Sequence, residues 1–232
     1  MKLYRYLLLT GLLLLMLNIY GIVSSTDWLV LASRLLFYVG LIGFKMSYLR
    51  ISNLNLSAFF SFFIIAEIVS YFNDYWYLGM VGLLLYMAAY IFLSREAVLH
   101  TERSSASKYM LLYFVLVILV NAYLMLLHVL ELQFYVSGFL NYGLYLVYYI
   151  NLLVLGVVGL VYYLNSYSKK SVFFISLALA LIFADVFRDM TAFYLEELGV
   201  LVLENFLRLA AITLAFFFFA TEEKKLRLLN MV

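Results

Sequence analysis

Arg34, Glu67, Asp185, Arg188, Asp189, Glu204 and Arg208 stand inside stretches that are otherwise apolar enough to lie in a lipid bilayer. A charge in hydrocarbon is costly, so such residues are rare and face a bundle interior or a polar cavity. Carboxylates there can carry general acid and base chemistry, and arginines can grip a phosphate with two parallel hydrogen bonds. Asp185, Arg188 and Asp189 are spaced i, i+3, i+4 and share one helix face. Glu204 and Arg208, at i, i+4, can pair on another. With a helical rise of about 1.5 Å per residue, five of the seven lie roughly 8–10 Å in from one membrane surface. By the same rise, Asp185 and Arg208 lie roughly 13–14 Å in, close to the midplane.

Two readings of this cluster stand side by side. In one, three arginines nearly balance four carboxylates and tie helices together as ion pairs. In the other, the cluster lines a pocket in which Glu67 and Asp185, in different surroundings, divide the acid and base roles of a hydrolysis. The arginines are then partners for the acids or holders of a substrate phosphate. If the seventh and eighth spans form a hairpin, Asp185 comes level with Arg208, and Arg188 and Asp189 with Glu204. A metal site built from Glu67, Asp185, Asp189, Glu204 and His128 has no ligand-spacing motif behind it and three arginines against it. No metal and no cofactor are therefore expected. His128 reads as an interfacial residue at a helix end, and His100 as a loop residue without signal. Nucleophilic serine chemistry lacks both a G-x-S-x-G and a histidine at useful depth.

The elements that position these residues follow from composition. The chain of 232 residues is 68% hydrophobic and 12% charged, far from the ~25% charged of soluble domains. It reads as one all-α integral membrane domain over 1–232. A hydrocarbon core of ~30 Å takes about 20 helical residues. Eight segments qualify: Tyr6–Val23, Trp28–Tyr48, Leu54–Phe72, Trp76–Ser94, Tyr109–His128, Phe139–Leu164, Val172–Tyr194 and Leu198–Ala220. Proline is absent, which predicts unkinked rods. Cysteine is absent too, so there is no disulfide, thiolate metal site or Cys nucleophile.

Charges in the connections alternate. Lys2, Arg5, Lys45, Arg50, Arg95, Arg103, Lys108, Lys169, Lys170, Lys224, Lys225 and Arg227 fall on one side; Asp27, Asp74, Glu131, Glu196 and Glu197 fall on the other. The positive-inside rule then places both termini in the cytoplasm of a multi-pass protein, expected in a bacterial inner membrane. The first segment has the basic start and leucine run of a signal peptide but no convincing cleavage site, and is read as a span. Trp28 and Trp76 sit at outer ends, where aromatic belts form. Tyr142, Tyr145, Tyr148 and Tyr149 recur at helical spacing on the sixth span, read as packing and lipid contact or as the wall of a cavity. Nothing supports nucleic-acid binding.

The third and fourth spans carry a resemblance. The stretch from Ser61 to Ile68, which ends Ala66-Glu67-Ile68, then Trp76 to Met80, then Tyr90 to Phe92, resembles the YhhN-like lysoplasmalogenases. Those are eight-span membrane proteins with a small-residue–Asp pair in the third span and a Gly-rich start to the fourth span that ends in H-x-x-Y. Ala184-Asp185 is similar to their second Ser-Asp element, and Lys45 to the lysine of their Lys-Pro. Glu67 replaces the first aspartate, Met87 falls where the family has histidine, and Met46 follows Lys45 in place of proline. The last span carries Glu204 and Arg208 rather than the usual Ala-Gln.

The resemblance implies hydrolysis of the vinyl-ether bond of lysoplasmalogens, with Glu67 and Asp185 as catalytic carboxylates. Arg34, Arg188, Asp189, Glu204 and Arg208 are the substrate-binding candidates, and a membrane lipid or lysophospholipid the expected partner. The alternative is a non-catalytic protein that binds lipid or moves a small solute, its charges forming a structural network. Met87 and the near-balance of charge favour it, although broken helices and inverted repeats are not evident. A retinal protein is a third reading, and the sequence speaks against it, because every lysine lies on the cytoplasmic side or at a helix end and none is at mid-membrane depth to form the Schiff base. The sequence carries no sign of oligomeric state.

Overall fold

A computed structural model describes residues 2–46, 54–72, 76–101, 108–136, 138–166, 168–195 and 197–223, without side chains at 2–9, 44–46, 76, 108–111, 113 and 114. The described residues are helical and contain no strand. The helices are α1 (Lys2–Val23), α2 (Asp27–Met46), α3 (Leu54–Tyr71), α4 (Trp76–His100), α5 (Lys108–Leu132), α6 (Phe139–Ser166), α7 (Lys169–Phe193) and α8 (Leu198–Ala220). Six of them, α3 to α8, are long and apolar enough to cross a membrane; the described apolar part of α1, Thr10–Val23, is shorter. The chain therefore has the helices of a multi-pass membrane bundle.

Its surface agrees. Leu36, Leu84, Ile91, Leu119, Ile150 and Phe183 are exposed while Arg208 is 1% exposed, the reverse of a soluble domain. Apolar residues all around a helix leave amphipathic faces weak, so packing is set by shape and by polar ties between helices. Asn18 of α1 makes one such tie, donating through Nδ2 to Ser33 Oγ (2.9 Å) and the Val30 carbonyl (3.2 Å) of α2.

Helix neighbours define a closed ring. α2 packs on α3, α3 on α4, α4 on α6, α6 on α7, α7 on α8, and α8 back on α2. α1 fills the groove between α2 and α8, and α5 lies outside the ring against α6. Gly159 permits the close approach of α6 to α7: a Cβ there would stand 3.1 Å from Ile175 Cδ1 and 3.3 Å from Ala178 Cβ. Gly159→Leu is expected to force these helices apart and to lower stability by about 1–3 kcal/mol, the usual cost of overpacking. Unfolding of the detergent-solubilised variant measures this; an unchanged midpoint would mean that the contact yields freely.

Several boundaries differ from the sequence reading. α4 runs on to His100, six residues past the expected Ser94, so His100 is a helical residue whose Nε2 lies 3.1 Å from Glu96 Oε1. α6 reaches Ser166 and α7 starts at Lys169, where the expected connection was Asn165 to Ser171. The turn there is short because Ser168 caps α7: its side chain accepts from the Ser171 N–H and the Ser171 hydroxyl accepts from the Ser168 N–H. Lys170, expected in the charged connection, is buried with Nζ 5.2 Å from the Phe218 ring centroid. In the α5–α6 connection Gly138 adopts φ +91°, a conformation suited to glycine.

Among the described residues, Asp27, Glu131 and Glu197 are exposed at the ends of α2, α5 and α8, and Arg95 and Lys169 are exposed toward the opposite end of the bundle. The side chains of Lys2, Arg5, Lys45, Arg50, Arg103, Lys108, Lys224, Lys225 and Arg227, of Asp74 and Glu196, and of Trp76 lie outside the described residues.

Candidate functional site

All seven charges singled out in the sequence meet in one connected network inside the ring. Arg208 of α8 is its hub. Its Nη1 donates to Glu67 Oε1 of α3 (2.8 Å) and to the Tyr86 hydroxyl of α4 (3.1 Å). Its Nη2 donates to Asp185 Oδ1 of α7 (3.2 Å), and its Nε to Glu204 Oε1 one turn back on α8 (3.2 Å). Arg34 of α2 closes the other side. It donates through Nη1 to Glu67 Oε2 (2.9 Å), through Nη2 to Glu204 Oε1 (3.3 Å) and through Nε to Asn205 Oδ1 (2.8 Å).

The hairpin registers as expected for Asp185 against Arg208, but Glu204 faces Arg34 rather than Arg188. Arg188 stays on its own helix, with Nη1 3.4 Å from Asp185 Oδ1 and Nε 3.1 Å from Asp189 Oδ1. Its guanidinium lies over the Tyr86 and Tyr148 rings, 5.4 Å from each centroid, which offsets part of its lost hydration. Arg188 Nη2 is buried without a partner among the described residues.

Tyrosines supply what the arginines do not. Tyr86 donates to Glu67 Oε1 (3.0 Å). Tyr90 and Tyr148 both donate to Asp185 Oδ2, at 2.6 and 2.5 Å. Tyr149 donates to Asp189 Oδ2 (2.5 Å), and the same hydroxyl meets His128 Nε2 at 2.6 Å. The tyrosine stripe of α6 is thus divided: Tyr148 and Tyr149 are network members rather than lipid contacts. Sequence reasoning missed them along with Tyr86, Tyr90 and Asn205. Their helical spacing was visible, but which way a hydroxyl points depends on the rotation of its helix. Every helix of the ring contributes: Arg34 from α2, Glu67 from α3, Tyr86 and Tyr90 from α4, Tyr148 and Tyr149 from α6, the rest from α7 and α8.

This geometry fixes what the carboxylates can do. An ionised carboxylate offers about four acceptor positions. Asp185 receives three hydrogen bonds, from Arg208, Tyr90 and Tyr148, with the Arg188 guanidinium 3.4 Å away as an ion pair, and Glu67 receives three, from Arg208, Arg34 and Tyr86. A general acid must carry a proton on one of these oxygens, and a base must present a lone pair to water or substrate. Met87 is buried, and its backbone carbonyl accepts from Asn151 Nδ2 (3.0 Å).

Three cavities lie away from the hub. The first, of about 280 Å³, is a cleft bounded by α5, α6 and α7, with His128 and Tyr149 in its wall. The second, of about 340 Å³, lies between α4, α6, α7 and the α5–α6 connection and includes Tyr145. The third, of about 310 Å³, is flanked by α1 and α8. None of the three is lined by Glu67 or Asp185. Among the described residues no group of three or more His, Cys, Asp or Glu is arranged to hold a metal ion.

A second polar cluster sits near the other end of the bundle. Asn55 donates to Glu96 Oε2 (2.7 Å), and Tyr162 donates to Glu223. Glu96 escaped the sequence reading because the extra helical turns of α4 carry it inside. Compared with family models, curated proteins and solved structures, the chain has no match, so its chemistry is read from its own geometry.

Proposed function

We propose that this chain is a non-catalytic, lipid-binding membrane protein whose buried charges are a structural tie. One observation carries this reading: the oxygens of both Glu67 and Asp185 are already engaged by protein donors, and neither residue lines any of the three cavities described above. Each of the four carboxylates in the network accepts at least one hydrogen bond from a protein donor, so loosening one member strands its partners in low dielectric. Eight spans with both termini in the cytoplasm of a bacterial inner membrane are part of the same proposal, resting on the alternation of loop charges.

A second reading is a lysoplasmalogenase-type hydrolase. It is favoured by the convergence of Glu67 and Asp185 on one guanidinium, Arg208, at 2.8 and 3.2 Å. There the carboxylates would protonate the vinyl ether and stabilise the oxocarbenium-like cation, and an arginine would release its carboxylate to hold the substrate phosphate. The two readings separate in one assay. Purified protein is incubated with a lysoplasmalogen beside Asp185→Asn, and lipid extracted from untreated protein is identified by mass spectrometry. Co-purified intact lipid without aldehyde release is the expected result. Aldehyde release by the wild type that vanishes in a folded Asp185→Asn variant would replace this reading with the hydrolase.

A further inference from the structure

The cleft between α5 and α7 has a shape, a polar end and a charge that specify an occupant. Helix α5 packs on α6 and stands off from α7, so α6 forms the floor and the other two helices the walls. The lining runs from Val117 to His128 on α5 and from Ile175 to Val186 on α7. Eleven helical steps make this about 16 Å, close to half of a ~30 Å hydrocarbon core. Leu124, Leu179 and Phe183 line it and are also exposed, so the cleft opens sideways on the flank of the bundle. Its volume of about 280 Å³ is at the small end of ligand pockets. That suits one aliphatic chain rather than two.

The polar end is set by the network behind it. Tyr149 has a single hydroxyl proton, which goes to Asp189 Oδ2 at 2.5 Å. The 2.6 Å contact with His128 Nε2 then requires the imidazole to be the donor. In the neutral ring this leaves Nδ1 as a lone-pair acceptor, and Nδ1 has no partner among the described residues. Asp189 and Tyr149 thus hold the histidine in a tautomer that offers its open nitrogen to a donor. The cleft lining includes no Lys or Arg, and Glu131 stands three residues beyond His128 on α5. A phosphate or carboxylate head would find no cation here and one acidic neighbour.

We propose that the α5–α6–α7 cleft binds a single-chain lipid with an uncharged hydroxyl head, of the monoacylglycerol class. The chain lies along Met125, Leu153 and Ile182, and a head-group hydroxyl donates to His128 Nδ1. The inference rests on the lipid-binding reading above and names its ligand.

The full chain, reconstituted in phosphatidylcholine vesicles, is labelled with a monoacylglycerol carrying a photoactivatable diazirine on its chain, and adducts are mapped by mass spectrometry. Saturable adducts on cleft residues of α5, α6 and α7 are expected. Unlabelled 1-oleoylglycerol should displace them at concentrations where oleate and lysophosphatidylglycerol do not. Leu124→Trp, an exposed position at the cleft lip, should abolish labelling, and His128→Ala should weaken it about fivefold, the worth of one net hydrogen bond. Adducts scattered over the outer surface of α5 and indifferent to Leu124→Trp would overturn the site. Equal displacement by the anionic lipids would overturn the head-group assignment. A chain that releases aldehyde from lysoplasmalogen yet labels in the cleft would lose the non-catalytic reading and keep this one; a chain that does neither would lose this one alone.

Discussion

Arg208→Met is expected to unfold much of the protein. The side chain is 1% exposed and simultaneously engages Glu67, Asp185, Glu204 and the Tyr86 hydroxyl. Methionine fills most of the volume but leaves carboxylates from three helices facing one another without their common cation. Removing one partner from a buried ion pair costs about 3–5 kcal/mol, chiefly because the remaining charge is stranded. That is a large part of the 5–15 kcal/mol by which proteins are stable. The check is thermal unfolding in mild detergent, with monodispersity as a second readout. Combining Arg208→Met with Glu67→Gln and Asp185→Asn should recover a substantial part of the loss, since the stranded charges are removed with their partner. A single variant as stable as the wild type would show that the network ties nothing together.

The second large effect is expected from the double variant Tyr90→Phe with Tyr148→Phe. These two hydroxyls are the donors to Asp185 Oδ2, at 2.6 and 2.5 Å, from α4 and α6. A hydrogen bond to a charged group contributes about 1.5–3 kcal/mol, and losses within one network are not additive, so about 2–4 kcal/mol is expected for the pair. The substitution removes two oxygen atoms and leaves the packing of both rings in place. Each single variant should lose less than half of the double, because the remaining hydroxyl still satisfies the oxygen. Equilibrium unfolding of the three variants against wild type gives the comparison. A double variant within about 0.5 kcal/mol of wild type, the range of ordinary surface substitutions, would mean that Asp185 is held by its arginines alone.

The membrane class and the positions of α3 to α8 were legible because length and hydropathy determine them. Arg34, Glu67, Asp185, Arg188, Asp189, Glu204 and Arg208 were legible as candidates because ionised groups in lipid are rare, but that they meet in one network was not, because helix order around the bundle is not readable from sequence. The pairing of Asp185 with Arg208 followed from a hairpin of α7 and α8. The i, i+4 pairing of Glu204 with Arg208 followed too, but the contact of Arg34 with Glu204 did not, because α2 is distant in sequence and nothing in its apolar surface announces that it closes the ring beside α8. The roles of Tyr86, Tyr90, Tyr148 and Tyr149 stayed hidden for a related reason. Tyrosine is common in this chain, with 22 residues, and a buried donor has the same sequence signature as an interfacial ring. His128 is the sharpest case: a lone histidine near a helix end reads as interfacial, and only the geometry of Tyr149 and Asp189 gives its ring a direction.

The distribution of charge among the helices bears on how such a chain enters a membrane at all. Arg34 and Glu67 lie on successive spans and bond each other at 2.9 Å, and Glu204 and Arg208 are one turn apart on α8 at 3.2 Å. Arg188 neutralises one of its two acidic neighbours on α7. Charge is thus close to balanced within each pair of successive helices: Arg34 with Glu67 on α2 and α3, and two arginines with three carboxylates on α7 and α8. A hairpin whose ionised groups neutralise one another costs less to place in lipid than one that leaves them single.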